Sequence, residues 1–152
     1  MGGIEQSRQP AEPGGHYAWR EGIRQTIVNI DPRQYITSHG VKWTESTVFP
    51  VPGGKSGNKS CSSFTLEDSE VYMNVPFTDG KDKAVFLGYK YLDDRNQVLH
   101  QEATAGWRKT SGKGRIVYIQ MGHSAHEYQN PVVAQMVLNA IIWRPKADSH
   151  RP

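Results

Sequence analysis

Cysteine is almost missing from this chain: Cys61 stands alone, so no internal disulfide can staple the fold. No apolar run approaches the roughly 20 residues that a helix needs to cross a membrane. The N-terminus has no apolar core of the signal-peptide kind. No basic run with interleaved aromatics is present, which leaves out the usual nucleic-acid footprint. Neither sign of charge dominates, with 18 Lys and Arg against 15 Asp and Glu for a formal net charge of +3. Apolar residues are few as well, 36% of 152 residues. One domain with a modest core is the expectation.

What is abundant is punctuation. Fifteen glycines and nine prolines imply many turns. Residues 1–23 read as a flexible arm, poor in apolar side chains over Met1–Gly15. The β-branched run from Arg24 to Ile30 reads as a strand closed by Asp31-Pro32. Between Tyr35 and Ser63 the pattern weakens, and Val51–Ser60 reads as a long polar loop. Its Gly53-Gly54-Lys55-Ser56 is no phosphate loop, because position 49 is Phe and not the required glycine. Strand composition returns at Phe64–Val75, Ala84–Leu92 and Ala103–Lys109, with a turn at Asp93–Asn96. Short turns between the later strands predict local antiparallel pairing.

The most informative stretch is Gly112-Lys113-Gly114 followed by Arg115–Met121 and Gly122-His123. It reads as a turn, a buried central strand and a histidine at the strand's end. In open α/β sheets chemistry collects beyond the carboxyl ends of strands, which singles out His123. Asn130 then caps a helix with Pro131 in its first turn. Val133, Met136, Val137, Ala140 and Ile141 follow helical spacing on one apolar face, and Pro145 ends the helix. Residues 146–152 read as a loose tail.

Several of these pieces, in this order, resemble the ThuA-like (trehalose utilisation) family. They are Leu66–Asn74, Trp107 with Gly112-Lys113-Gly114-Arg115, Gly122-His123, Tyr128-Gln129-Asn130-Pro131 and Leu138-Asn139-Ala140-Ile141-Ile142-Trp143. Asp31–Thr37 is similar to a further, degraded segment. The likeness spans roughly residues 24–144, and residues 24–145 are read as a partial domain of that family. It implies an α/β fold, a flavodoxin-type, class I glutamine-amidotransferase-like sheet truncated on its N-terminal side, with antiparallel strands near the C-terminus. It also implies metabolism of trehalose or related sugars, with a sugar or sugar-derived small molecule as partner. A truncated sheet is expected to self-associate through surface that the absent part would cover.

His123 is the first candidate for chemistry, as acid/base or metal ligand, because imidazole titrates near neutral pH and binds metals. The resemblance places it near a nucleophile-activating histidine, with Glu127 standing for the acidic third member. Cys61 does not supply the nucleophile, since Ser60-Cys61-Ser62-Ser63 has no strand–elbow–helix context. His123 and His126 are candidate ligands for a divalent metal, with Glu127 adjacent. Their closeness is also what a short polar loop produces without any metal. His16, Tyr17 and Trp19 would line a sugar site only if their segment is ordered. Tyr72, Tyr89, Tyr91 and Trp107 fit cross-strand packing as well as sugar stacking. Tyr128 fits packing beside the helix start, and Met136 and Trp143 fit the core. Glu67, Asp68 and Glu70 read as a solvated edge, because neighbours on one strand do not flank a glycosidic bond from two sides. Three functions follow: an enzyme acting on a sugar, a non-catalytic carbohydrate-binding or interaction module, and a true amidotransferase. The last has the least support, for want of a nucleophile elbow.

Overall fold

The structure is a computed structural model, and it describes residues 16–52, 57–75 and 83–144. Among the described residues, six strands form one sheet: β1 (Ala18–Asn29), β2 (Glu45–Pro50), β3 (Asn58–Met73), β4 (Ala84–Leu92), β5 (Val98–Ser111) and β6 (Gly114–Ile119). Their order is β2-β3-β1-β4-β5-β6, and every neighbouring pair is antiparallel. A one-turn helix, α1 (Tyr35–Ser38), follows β1, and α2 (Pro131–Ile142) closes the described chain.

This overturns the α/β, flavodoxin-type expectation, and with it the fold that the family resemblance implied. A parallel sheet needs a crossover helix of a dozen or so residues between successive strands. Among the described residues, the only helix between β1 and β6 is the four-residue α1. Antiparallel pairing is what short turns allow. The central position expected for Arg115–Met121 also fails. That strand, β6, is the edge of the sheet, with Ile116 40% exposed and Val117 and Ile119 half-buried. The run is apolar because one flank packs towards α2, not because both faces are covered.

The main core lies between the sheet and the two helices. Ile27, Phe64, Leu66, Phe86 and Leu87 from the strands meet Ile36 of α1 and Val132, Val133 and Met136 of α2. Asn130 caps α2 through its side-chain oxygen, which accepts from Val132 N at 2.9 Å, as the sequence predicts. Asn139 is fully buried and ties the helices together, donating from Nδ2 to Ile36 O at 3.0 Å and His39 O at 2.8 Å. Pro145 lies outside the described residues, as do the Gly53–Ser56 segment and the terminal stretches 1–15 and 146–152. The expected arm runs into β1, which begins at Ala18.

A second, smaller cluster of Val28, Ile30 and Phe49 lies on the other side of the sheet. It exists because β2 curls. In a flat sheet β2 and β4, three places apart, would stand about 14 Å from each other. Instead Lys90 Nζ on β4 donates to Thr47 Oγ1 on β2 at 2.8 Å. Phe49 sits on Gly88, where a Cβ would come 2.6 Å from its ring. Residues 45–50 and 58–63, expected to be irregular, are the hairpin that makes this fold-over.

β1 and β3 carry an irregularity that matters for the site. Gly22 has φ +65° and Asp68 has φ +49°, and the register between the strands shifts on both sides of Ile23. Such bulges re-aim the side chains that follow them. Here those are Ser69 and Glu70.

Candidate functional site

Gly122 and His123 follow β6 and lead through Ser124–His126 into the 3-10 turn Glu127–Gln129. One buried carboxylate shapes this loop. Glu127 is fully buried. Its Oε2 accepts from Gly122 N at 2.6 Å and His123 N at 3.1 Å. Its Oε1 accepts from the hydroxyl of Ser69 on β3. Ser69 Oγ in turn accepts from Gln25 Nε2 on β1 at 2.6 Å, and the same amide donates to Glu70 O at 2.9 Å. A carboxylate can be buried when its lone pairs are met in this way. The sheet thus fixes the loop through a line of polar groups from β1 to β3 to Glu127. Gly122, at φ +135°, completes the turn, and a Cβ there would run into the Tyr128 hydroxyl.

The pairing of His123 with Glu127 implied by the resemblance is not what the loop makes. Glu127 serves the backbone, and the imidazole turns to Glu70, with Nδ1 3.3 Å from Oε2. The two side chains are 31% and 18% exposed, which keeps the pair at the surface yet partly desolvated. The Tyr72 hydroxyl also hydrogen-bonds Glu70, which together with burial pushes the Tyr72 pKa up to about 12. Glu70 and Tyr72 are two apart on β3 and so share a face. This corrects the reading of the acidic stretch as a solvated edge: Glu67 and Asp68 are exposed, but Glu70 is engaged.

Aromatic rings surround the pair. Tyr17 stacks on Tyr72 with centroids 6.5 Å apart, and Tyr118 on Trp107 at 5.3 Å. Burial raises the Tyr118 pKa, and the proximity of Tyr17 and Glu70 adds to the rise. Tyr17 and Trp19 are thus ordered, and Tyr17 reaches the site. Tyr89 lies beneath, fully buried, and donates to Tyr72 O at 3.2 Å.

The metal reading finds little in the geometry. His126 Nε2 lies 3.3 Å from Glu67 O and Nδ1 lies 2.6 Å from Ser124 Oγ. Both ring nitrogens of His126 therefore have protein partners, while His123 points to Glu70. No group of three or more His, Cys, Asp or Glu placed to hold a metal ion occurs among the described residues. Cys61 sits near the start of β3, paired with Thr47, at the far end of that strand from Glu70.

The sequence singled out His123 and Glu127 but missed the roles of Gln25, Ser69, Glu70 and Tyr118. The alternation of Glu70 with Tyr72 was the one available signal. No protein-family model matches the chain, and no curated protein matches it.

Proposed function

We propose that the chain takes a sugar or sugar-derived small molecule at the Glu70–His123 pair, with His123 as acid/base. The observation that carries this reading is the 3.3 Å approach of His123 Nδ1 to Glu70. A proton on Nδ1 directed at the carboxylate leaves Nε2 as a free base able to take a proton from a hydroxyl. The rings of Tyr17, Tyr72 and Tyr118 offer apolar faces suited to the C–H side of a sugar ring, and Tyr72 and Glu70 offer groups for its hydroxyls. The clamp formed by Glu127 keeps the histidine at a fixed place on rigid structure.

The test is titration of the protein with a panel of mono- and disaccharides, followed by NMR. Shifts should gather at Tyr72, Tyr118 and His123, and Glu70→Gln should weaken binding by about tenfold, the worth of one charge-assisted hydrogen bond. His123→Ala should remove turnover and leave the fold intact. If that variant lost stability while binding and turnover survived, the acid/base role would fall.

A second reading is a carbohydrate-binding module without turnover. It is favoured by the position of Cys61, which leaves no thiol nucleophile beside His123 among the described residues. Saccharide binding with no product over long incubation would select it.

A further inference from the structure

A cleft of about 820 Å³ opens at the end of β3 opposite Glu70. Cys61, on its wall, and Glu70 are separated by roughly 30 Å of extended β3. The cleft is bounded by the Asp31-Pro32-Arg33 turn after β1, the end of β2, the start of β3 and Lys83-Val85. Its apolar lining comes from Ile30, Val51 and Val85, which belong to the smaller core cluster made by the curl of β2. Among the described residues, three cations, Arg33, Lys59 and Lys83, and one carboxylate, Asp31, stand around that lining. Asp31 already has Arg33 as its partner, with Nε and Oδ1 3.7 Å apart. Lys83 also lies over the Trp107 ring at 4.9 Å, which holds the ammonium beside the opening. The hydroxyls of Ser60 and Ser62 complete the polar groups.

We infer that this cleft binds a small amphiphilic anion, an apolar aryl or short alkyl body carrying a carboxylate, sulfonate or phosphate. The volume is in the range of small-molecule sites, which pair an apolar lining with a few convergent polar groups. The excess of positive charge selects an anionic head, and the Ile30, Val51 and Val85 surface selects an apolar body over a bare ion. Cys61 is not an activated nucleophile. Burial raises the pKa of its thiol, against the opposing pull of Lys59 and Lys90, and it reacts only through its small thiolate fraction. It is instead a built-in reporter, because it is the one cysteine of the chain.

The experiment uses naphthoate as the probe, naphthylmethanol as its uncharged counterpart and inorganic phosphate as the anion without a body. At about ten times its Kd, naphthoate should slow maleimide labelling of Cys61 by about tenfold, in a saturable way. Naphthylmethanol should bind about tenfold more weakly, and so should naphthoate to Lys59→Gln. His123→Ala should leave naphthoate binding unchanged, which separates this site from the sugar site. The inference is overturned if naphthoate gives no saturable protection, if the alcohol or phosphate protects equally well, or if Lys59→Gln has no effect.

Discussion

At the scale of single residues, Glu127 shows how a charge becomes structural. A buried carboxylate is tolerable only with its lone pairs met, and removing one side of such an arrangement costs several kcal/mol. Glu127→Gln puts an amide NH2 where one oxygen now accepts from Gly122, His123 or Ser69. The expected loss is about 2–4 kcal/mol, read from urea unfolding. An unchanged midpoint would mean the loop holds itself. Two other groups contribute to the pH dependence. Burial alone would raise the Glu102 pKa, but hydrogen bonds from His100, the Asn74 N–H and Thr104 outweigh it and hold the carboxyl below its usual value. Its contribution is therefore complete above about pH 4.5 and is lost as pH falls through the lowered value. Tyr72 works in the opposite direction. Its pKa is raised from 10.0 to about 12, so its contribution is complete below pH 10 and is lost as pH rises towards 12. These two groups alone leave the melting temperature flat from about pH 4.5 to 10; the raised Cys61 thiol opens the alkaline decline from about pH 9, and the raised Tyr89 and Tyr118 add to it above about pH 10. Tyr72→Phe should remove the part of the alkaline decline that belongs to this hydroxyl, and an identical alkaline limb in the variant would refute the assignment.

At the scale of elements, the fold-over of β2 depends on one position. An alanine at Gly88 would place its Cβ 2.6 Å from the Phe49 ring and 3.1 Å from Glu102 O. The ring must move, and the backbone oxygen leaves little room on the other side. Gly88→Ala should destabilise by about 1–3 kcal/mol. It should also loosen β2, which hydrogen exchange at Thr47 and Val48 would report; exchange there at the wild-type rate would show that the curl survives. Legibility in the sequence follows the same physics. The helix Pro131–Ile142 was readable because its cap and its apolar spacing are local. Ala84–Leu92 was readable from β-branched and aromatic content. The hairpin of β2 with the start of β3 was not, because Ser60–Ser63 shows no apolar alternation and its pairing with Glu45–Val48 is decided by the curl. The place of β6 was hidden too, since Ile116–Ile119 reads alike in the middle of a sheet and at its rim. His123 was marked by the strand–glycine–histidine order. Glu70 was not, because its engagement depends on a loop reached only after three more strands.

At the scale of the whole molecule, the rim formed by β6 and the outer side of α2 is apolar. Ile116 is 40% exposed, Leu138 57% and Ile141 65%. β6 contains no proline and one charged residue, Arg115, whose Nη2 donates to Ile141 O. Unprotected rims of this kind pair with other strands. The chain should self-associate as its concentration rises, and Ile141→Lys should move light scattering towards the monomer without lowering the melting temperature. Scattering that stays at the monomer value for the unaltered chain at all concentrations would refute this. The buried line from Gln25 through Ser69 to Glu127 has a kinetic consequence. It joins groups from the first strand, the third strand and the turn beyond the last, so it closes only after the strands that carry Gln25 and Ser69 have paired. Ser69→Ala should therefore speed unfolding and leave the folding rate almost unchanged in stopped-flow measurements, with a φ-value near zero. Slowed folding would put the contact in the nucleus instead. With a φ-value near zero, assembly runs in a fixed order, sheet before loop, and a nascent chain carries a complete β-sheet before its histidine has met its glutamate.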